Sequence, residues 1–163
     1  MLLNFYFFVS VMSVSVSLPT VTVQYVIFLV IDAFRLLILA QLTGLARVKT
    51  KEFHAPEDAR GKDYTPVGQD TSSMSLAARA MRAHYNAIEN DLVWLFATTA
   101  LMYSQANVNA IIAFNTFYQF FRICHAIFYM LGKQPFRALS FLGGAICCII
   151  MLCYAFVQVI INS

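Results

Sequence analysis

Charged and polar residues recur at helical spacing over residues 79–90, just before a long apolar run. At 3.6 residues per turn, Arg82, Asn86 and Glu89 fall within about 60° of one another on one helix face. Ionisable side chains inside a membrane helix are costly, and they usually face the bundle interior and carry function. Because guanidinium groups bind carboxylates, often through two hydrogen bonds, this face predicts recognition of an anionic group.

A second polar face belongs to the next apolar run. Arg122, His125 and Tyr129 share one side of that helix, and Arg137 stands at the start of the following one. Cations exceed carboxylates across the two faces, since Glu89 is the only carboxylate expected to be buried there. Buried cations without a counter-charge are expensive, so we expect an anionic ligand. Pairing of the arginines with Glu89 to hold the bundle together is an open alternative.

The elements that position these side chains must lie in a membrane. Hydrophobic residues make up 60% of the 163 residues and charged residues only 12%, whereas soluble domains are about 45 to 50% apolar and about 25% charged. Mean hydropathy is +0.70. In hydrocarbon the backbone must satisfy its own hydrogen bonds, and long continuous apolar runs favour helices over a barrel. The sequence therefore predicts an all-α membrane protein, a four-transmembrane-helix bundle.

Four runs reach the roughly 20 residues that a membrane span needs. They are residues 21–46, 76–103, 108–131 and 136–161, within a single domain over residues 19–163. Most of the charge lies in the loop 47–75, which the positive-inside rule makes cytoplasmic, with both termini on the opposite side. The net charge of +3 reflects this topology and gives no case for nucleic acid.

Residues 1–18 form an apolar, Ser-rich segment without the basic start of a signal peptide. Three interpretations stay open: a luminal extension, a cleaved leader, or a lengthening of the first span. All four cysteines fall within predicted spans and lack metal-ligand spacing, so we expect neither disulfide nor metal. Arg35 also lies within a span, and we expect it to belong to an interhelical ion pair with Asp32 or with an acid of a neighbour.

Several motifs, in order along the chain, resemble those of one family. Residues 82–90, R-A-H-Y-N-A-I-E-N, resemble the R-A-H-x-N-x-x-E-N signature of the MAPEG family, the membrane-associated proteins of eicosanoid and glutathione metabolism. Residues 54–58 resemble its A-N-P-E-D loop, and residues 122–129 its R-x-x-H-T-x-x-Y motif. Residues 134–141, Q-P-F-R-A-L-S-F, resemble Q-P-N-R-A-L-S-F, and the similarity extends over about residues 35–154.

This resemblance implies a MAPEG-like homotrimer that binds glutathione as a co-substrate between neighbouring protomers near the cytoplasmic face. The carboxylates of glutathione suit arginine, its ammonium suits Glu89, and its backbone groups suit Asn86 and Tyr129. His125 is either a ligand contact or an interhelical hydrogen-bonding residue. The residues expected to bind glutathione are Arg82, Asn86, Glu89, Arg122, His125, Tyr129 and, from the adjacent subunit, Arg47.

Arg137 is the expected catalytic residue, because a guanidinium beside a thiol lowers its pKa and favours the nucleophilic thiolate. The implied activity is glutathione transfer to a lipophilic electrophile arriving from the membrane lipids, or reduction of a lipid hydroperoxide. The R-A-L-S-F string at residues 137–141 is most similar to that of microsomal glutathione transferases of the first type. The related prostaglandin E synthases carry a serine at the position of Ala138.

Two other functions stay open: a glutathione-dependent isomerase of the prostaglandin E synthase type, and a non-catalytic membrane scaffold that binds lipid or a partner. The scaffold interpretation predicts loss of the arginines, and all of them are present. The resemblance implies an integral membrane protein of the endoplasmic reticulum, and also of the outer mitochondrial membrane.

Overall fold

The protein is built from four long helices joined by one longer loop and two tight turns. A computed structural model describes residues 20–53, 55–59, 64–66 and 75–163. The helices are α1 (Thr20–Thr50), α2 (Leu76–Tyr103), α3 (Val108–Leu131) and α4 (Gln134–Asn162). Between α1 and α2 lie strands β1 (Glu52–Phe53) and β2 (Thr65–Pro66), which pair in parallel, and a 3₁₀ turn at Pro56–Ala59. Residues 1–19, and with them the predicted N-terminal extension, lie outside the described residues.

Local sequence signals set the helix ends. Ser75 caps α2, since its hydroxyl accepts a hydrogen bond from the backbone N–H of Ala78 at 3.0 Å. The same hydroxyl donates to Glu52 at 2.6 Å, which ties strand β1 to the start of α2. Gly132 ends α3 in the left-handed conformation, with φ of 70°, and Pro135 lies in the first turn of α4. The α3–α4 connection is therefore a tight hairpin.

The four helices pack around a core at the centre of α2. Helix α2 contacts each of the other three, whereas α1 packs mainly on α2 and over a shorter stretch on α3. Small residues along one face of α2 allow this close approach. They are Ala77, Ala80, Ala83, Ala87 and Ala97, all fully buried. Farther along, the Trp94 and Tyr118 rings stack with centroids 5.4 Å apart.

Helices α1 and α4 are each long and apolar enough to cross a membrane. Many large apolar side chains on the outside of the bundle are exposed, among them Phe34, Phe96 and Phe156. Buried polar residues point into the bundle, such as Thr98 on α2 and Asn115 and Gln119 on α3. This arrangement is typical of a membrane bundle, in which polar groups face neighbouring helices and apolar groups face lipid.

Candidate functional site

The polar face predicted on α3 lies against α2, and Arg122 is its centre. Arg122 is 2% exposed, and its Nη2 donates to the backbone oxygen of Asn86 at 3.0 Å and to Asn86 Oδ1 at 3.1 Å. Its aliphatic stem fits against α4 because Gly144 has no side chain; a Cβ there would lie 3.2 Å from Arg122 Cδ. Two of the predicted site residues are thus in direct contact, with Asn86 orienting Arg122.

The α3–α4 hairpin brings His125, Tyr129 and Arg137 together. His125 donates from Nδ1 to the backbone oxygen of Arg137 at 3.0 Å, which fixes the first turn of α4 against α3. The guanidinium carbon of Arg137 lies 4.7 Å from the centroid of the Tyr129 ring, in cation–π geometry. The ring centroids of His125 and Tyr129 are 5.5 Å apart. Of the two alternatives for His125, the interhelical hydrogen bond is therefore observed.

The other ring nitrogen of His125, Nε2, is the atom through which this side chain could contact a ligand. Nε2 is buried and has no hydrogen-bond partner among the residues that the structure describes. Since Nδ1 carries the proton that Arg137 accepts, Nε2 of the neutral ring is an acceptor. Its burial within the single chain leaves no surface for direct contact with a ligand. The observed contact of His125 is therefore the one that joins α3 to α4.

Three further predicted site residues are less buried than Arg122 and His125 in the single chain. Glu89 is exposed, and Arg82 and Arg47 are half-buried. Helix α1 continues to Thr50, past the predicted span, so Arg47 lies in its last turns and not in an irregular loop. The Nε of Arg47 is buried without a hydrogen-bond partner among the described residues.

The expectation that Glu89 is the buried carboxylate is wrong for the single chain. Among the residues that the structure describes, the buried carboxylates are Asp32 on α1 and Asp91 on α2. Arg35 Nη2 lies 2.5 Å from Asp32 Oδ1 and 2.5 Å from Asp91 Oδ1. The predicted Arg35–Asp32 pair is therefore confirmed, and Asp91 is an additional partner.

Two uncharged side chains of α3 complete this cluster. Gln119 donates from Nε2 to Asp32 Oδ1 at 2.9 Å, and Tyr118 donates to Asp91 Oδ1, also at 2.9 Å. We name these five residues, Asp32, Arg35, Asp91, Tyr118 and Gln119, the central ion cluster. It supplies two buried carboxylates for the two buried guanidinium groups of Arg35 and Arg122. The positive charge that favours an anionic ligand therefore lies on the half-buried arginines near the loop and the hairpin.

Sequence reasoning missed Asp91 because it selected the wrong face of α2 as the interior. The stripe of Arg82, Asn86 and Glu89 is centred about 130° around the helix from the alanine stripe. Asp91 follows Ala87 by four residues and precedes Trp94 by three, so it continues the buried alanine face. The spacing of small residues was the signal that could have identified it.

The stripe of Arg82, Asn86 and Glu89 therefore lies on a side of α2 that is not packed in the core of the single chain. Charged groups at this position in a membrane helix need a protein partner or a ligand, since hydrocarbon offers neither hydrogen bonds nor counter-charge. The model of one protein family, the MAPEG family, matches residues 25–157 of the chain. The chain belongs to the MAPEG family.

The predicted fold class, an all-α membrane protein built on a four-helix bundle, is thereby confirmed. The MAPEG family includes glutathione transferases, prostaglandin E synthases and other members. Its members generally use glutathione and form trimers. A comparison with curated protein sequences found no match. The MAPEG match covers α2 and α3 completely and most of α1 and α4, and it includes every residue of the two predicted polar faces.

Proposed function

We propose that the protein is a membrane-bound glutathione transferase in which Arg137 stabilises the glutathione thiolate. The observation that carries the proposal is the position of Arg137. Its side chain is half-buried over the Tyr129 ring, and its backbone oxygen is held by His125. It lies in the first turn of a helix of 29 residues, where unpaired backbone N–H groups also favour negative charge. The guanidinium of Arg137 and the backbone N–H groups of this turn would both stabilise an anion at the start of α4.

The reaction needs the thiolate because the protonated thiol is a poor nucleophile. The thiolate sulfur forms a bond to the electrophilic carbon, and the leaving group departs with its electron pair, which yields a thioether. With a lipid hydroperoxide, the sulfur attacks the terminal oxygen, and the lipid alkoxide leaves and takes up a proton. A second glutathione then reduces the sulfenic acid to glutathione disulfide and water. Arg137 contributes to both reactions only by stabilising the thiolate.

The remaining groups of glutathione match the other predicted residues. Its two carboxylates suit Arg122, which Asn86 already orients, and Arg82. His125 contributes by holding the backbone oxygen of Arg137. Glu89 is the carboxylate for the ammonium group, and its exposure in the single chain favours a site shared between protomers of a homotrimer. In that arrangement Arg47 reaches glutathione from the adjacent subunit.

The second substrate is a lipophilic electrophile that arrives from the bilayer. Exposed apolar residues flank Arg137 in α4, including Phe136, Leu139 and Phe141. Such a surface gives access to molecules dissolved in lipid and not to polar ones. We propose the endoplasmic reticulum as the location, with the outer mitochondrial membrane as a second one.

The test is a comparison of three glutathione-dependent activities on the purified protein in detergent. The substrates are a generic aromatic electrophile, a lipid hydroperoxide and a prostaglandin endoperoxide. We expect turnover of the electrophile and the hydroperoxide. Activity on the endoperoxide alone would replace the proposal by the isomerase function, and activity on none of the three would favour the scaffold.

Matched variants separate the role of Arg137 from general charge at the hairpin. Arg137→Ala removes the guanidinium over Tyr129, whereas Lys133→Ala removes an exposed cation at the end of the same turn. Losing a hydrogen bond to a charged group costs about 1.5 to 3 kcal/mol, or roughly 10- to 150-fold in turnover. We expect that loss in Arg137→Ala, with much of the glutathione affinity kept, and little change in Lys133→Ala. Equal effects of the two variants would count against the assignment.

A further inference from the structure

Two consecutive glycines, Gly143 and Gly144, lie inside helix α4. Neither has a positive φ, so the backbone conformation does not require glycine at either position. Glycine in the interior of a helix is less favourable than alanine, because it loses more conformational freedom on folding. The reason for glycine here must therefore be the space that a side chain would take.

The two glycines contact different side chains of α3. A Cβ at Gly143 would lie 2.6 Å from two carbon atoms of the Phe121 ring, which packs against the apolar core. A Cβ at Gly144 would lie 3.2 Å from Arg122 Cδ and 3.9 Å from Tyr118 Cε2 and Phe121 Cβ. Gly144 is therefore the glycine that meets the predicted polar face of α3, at its central arginine.

Arg122 joins α4 to α2 and has little freedom to move. It is 2% exposed; its stem contacts α4 at Gly144, and its Nη2 donates two hydrogen bonds to Asn86. Carbon atoms pack best at about 3.5 to 4.0 Å, so a methyl group on residue 144 would push Arg122 Cδ by a few tenths of an ångström. Because the guanidinium is planar and rigid, this push would weaken both hydrogen bonds to Asn86.

Arg122 also fixes the orientation of the Asn86 amide. A guanidinium group only donates hydrogen bonds, so Asn86 Oδ1 faces Arg122 and the amide NH₂ group faces away from it. Asn86 is half-buried and keeps surface for a ligand. A displaced Arg122 would therefore change the direction of the N–H groups that Asn86 presents.

We propose that Gly144 is a positioning residue for glutathione binding. Its lack of a side chain allows Arg122 to lie where it orients Asn86. The inference rests on the proposed function, which assigns Arg122 and Asn86 to glutathione. Arg137 lies two turns of α4 away, about 10 Å along the helix axis, so formation of the thiolate does not depend on Gly144.

The test compares Gly144→Ala with Gly143→Ala in the full-length protein in detergent. Calorimetry gives the affinity for glutathione, turnover of an aromatic electrophile gives KM and kcat, and a thermal scan gives the stability. We expect Gly144→Ala to weaken glutathione binding and raise its KM about fivefold, or about 1 kcal/mol, with kcat within about twofold of wild type. Gly143→Ala should keep the wild-type affinity and lower the melting temperature, because the Phe121 ring must move.

A double variant tests the route through Asn86. Asn86→Ala removes the Oδ1 that accepts from Arg122, so adding Gly144→Ala to it should weaken binding by less than about twofold more. A further loss as large as in the single Gly144→Ala variant would overturn this route.

The glycine variants also separate a failure of this inference from a failure of the proposed function. Wild-type affinity in Gly144→Ala, or equal losses of affinity in the two glycine variants, would overturn the role of Gly144 alone. A wild-type protein that binds no glutathione would refute the proposed function, and the positioning role with it.

Discussion

Neutralising Asp91 should destabilise the protein far more than neutralising Glu89, although the two residues lie two positions apart on α2. Asp91 is buried and 2.5 Å from Arg35, whereas Glu89 is exposed. At that separation and an effective dielectric constant of about 20, the attraction is about 7 kcal/mol. Asp91→Asn does not lose all of it, because the introduced amide still accepts hydrogen bonds and Arg35 keeps Asp32. We expect a net loss of about 3 kcal/mol, the low end for a broken buried pair.

The apparent melting temperature reports this difference. For a chain of this length, a loss of about 3 kcal/mol lowers it by roughly 6 to 12 °C. A fluorogenic thiol reagent gives the signal, since Cys147 and Cys148 are buried and react when the bundle opens. Glu89→Gln, measured without glutathione, should shift the midpoint by less than about 2 °C. Equal shifts for the two variants would refute the account of the central ion cluster.

Three further outcomes follow from local geometry. Gly132→Ala should lower stability by about 1 to 2 kcal/mol in the same thermal assay, because φ is 70° and a Cβ would lie 2.8 Å from Arg79 Nη1. Asn115→Ala should cost about 1 to 3 kcal/mol there, since it removes the acceptor 2.7 Å from the Trp94 indole nitrogen. Tyr129→Phe should keep glutathione-dependent turnover within about twofold, whereas Tyr129→Leu removes the ring under the guanidinium and should lower kcat about fivefold. An unchanged midpoint for either stability variant, or equal kcat values for the two Tyr129 variants, would contradict these expectations.

The fold class was predictable because its signals are local. Continuous apolar runs require helices in hydrocarbon, and Ser75, Gly132 and Pro135 mark helix ends through capping and fixed backbone angles. The contact between Asn86 and Arg122 joins the two polar faces that the sequence predicts. These features depend on spacing along one or two helices.

The spacing of polar residues could not predict how α2 is rotated about its own axis. Two faces of α2 carry ionisable residues, and only packing decides which one turns inward. The alanines let α2 approach its neighbours closely, so their face is buried and carries Asp91 with it, while Glu89 turns outward. The pairing of Arg35 with Asp91 likewise depends on a long-range contact, which no local pattern specifies.

The central claim is that Arg137 stabilises the thiolate of bound glutathione. The direct measurement is the ultraviolet absorbance of the thiolate when glutathione binds at neutral pH, with binding itself followed by calorimetry. We predict a clear thiolate band in the wild type and in Lys133→Ala. Arg137→Ala should bind glutathione and show a band reduced about tenfold or more, because one pKa unit corresponds to about 1.4 kcal/mol of lost interaction. A band of undiminished height in Arg137→Ala, at equal glutathione occupancy, would contradict the account.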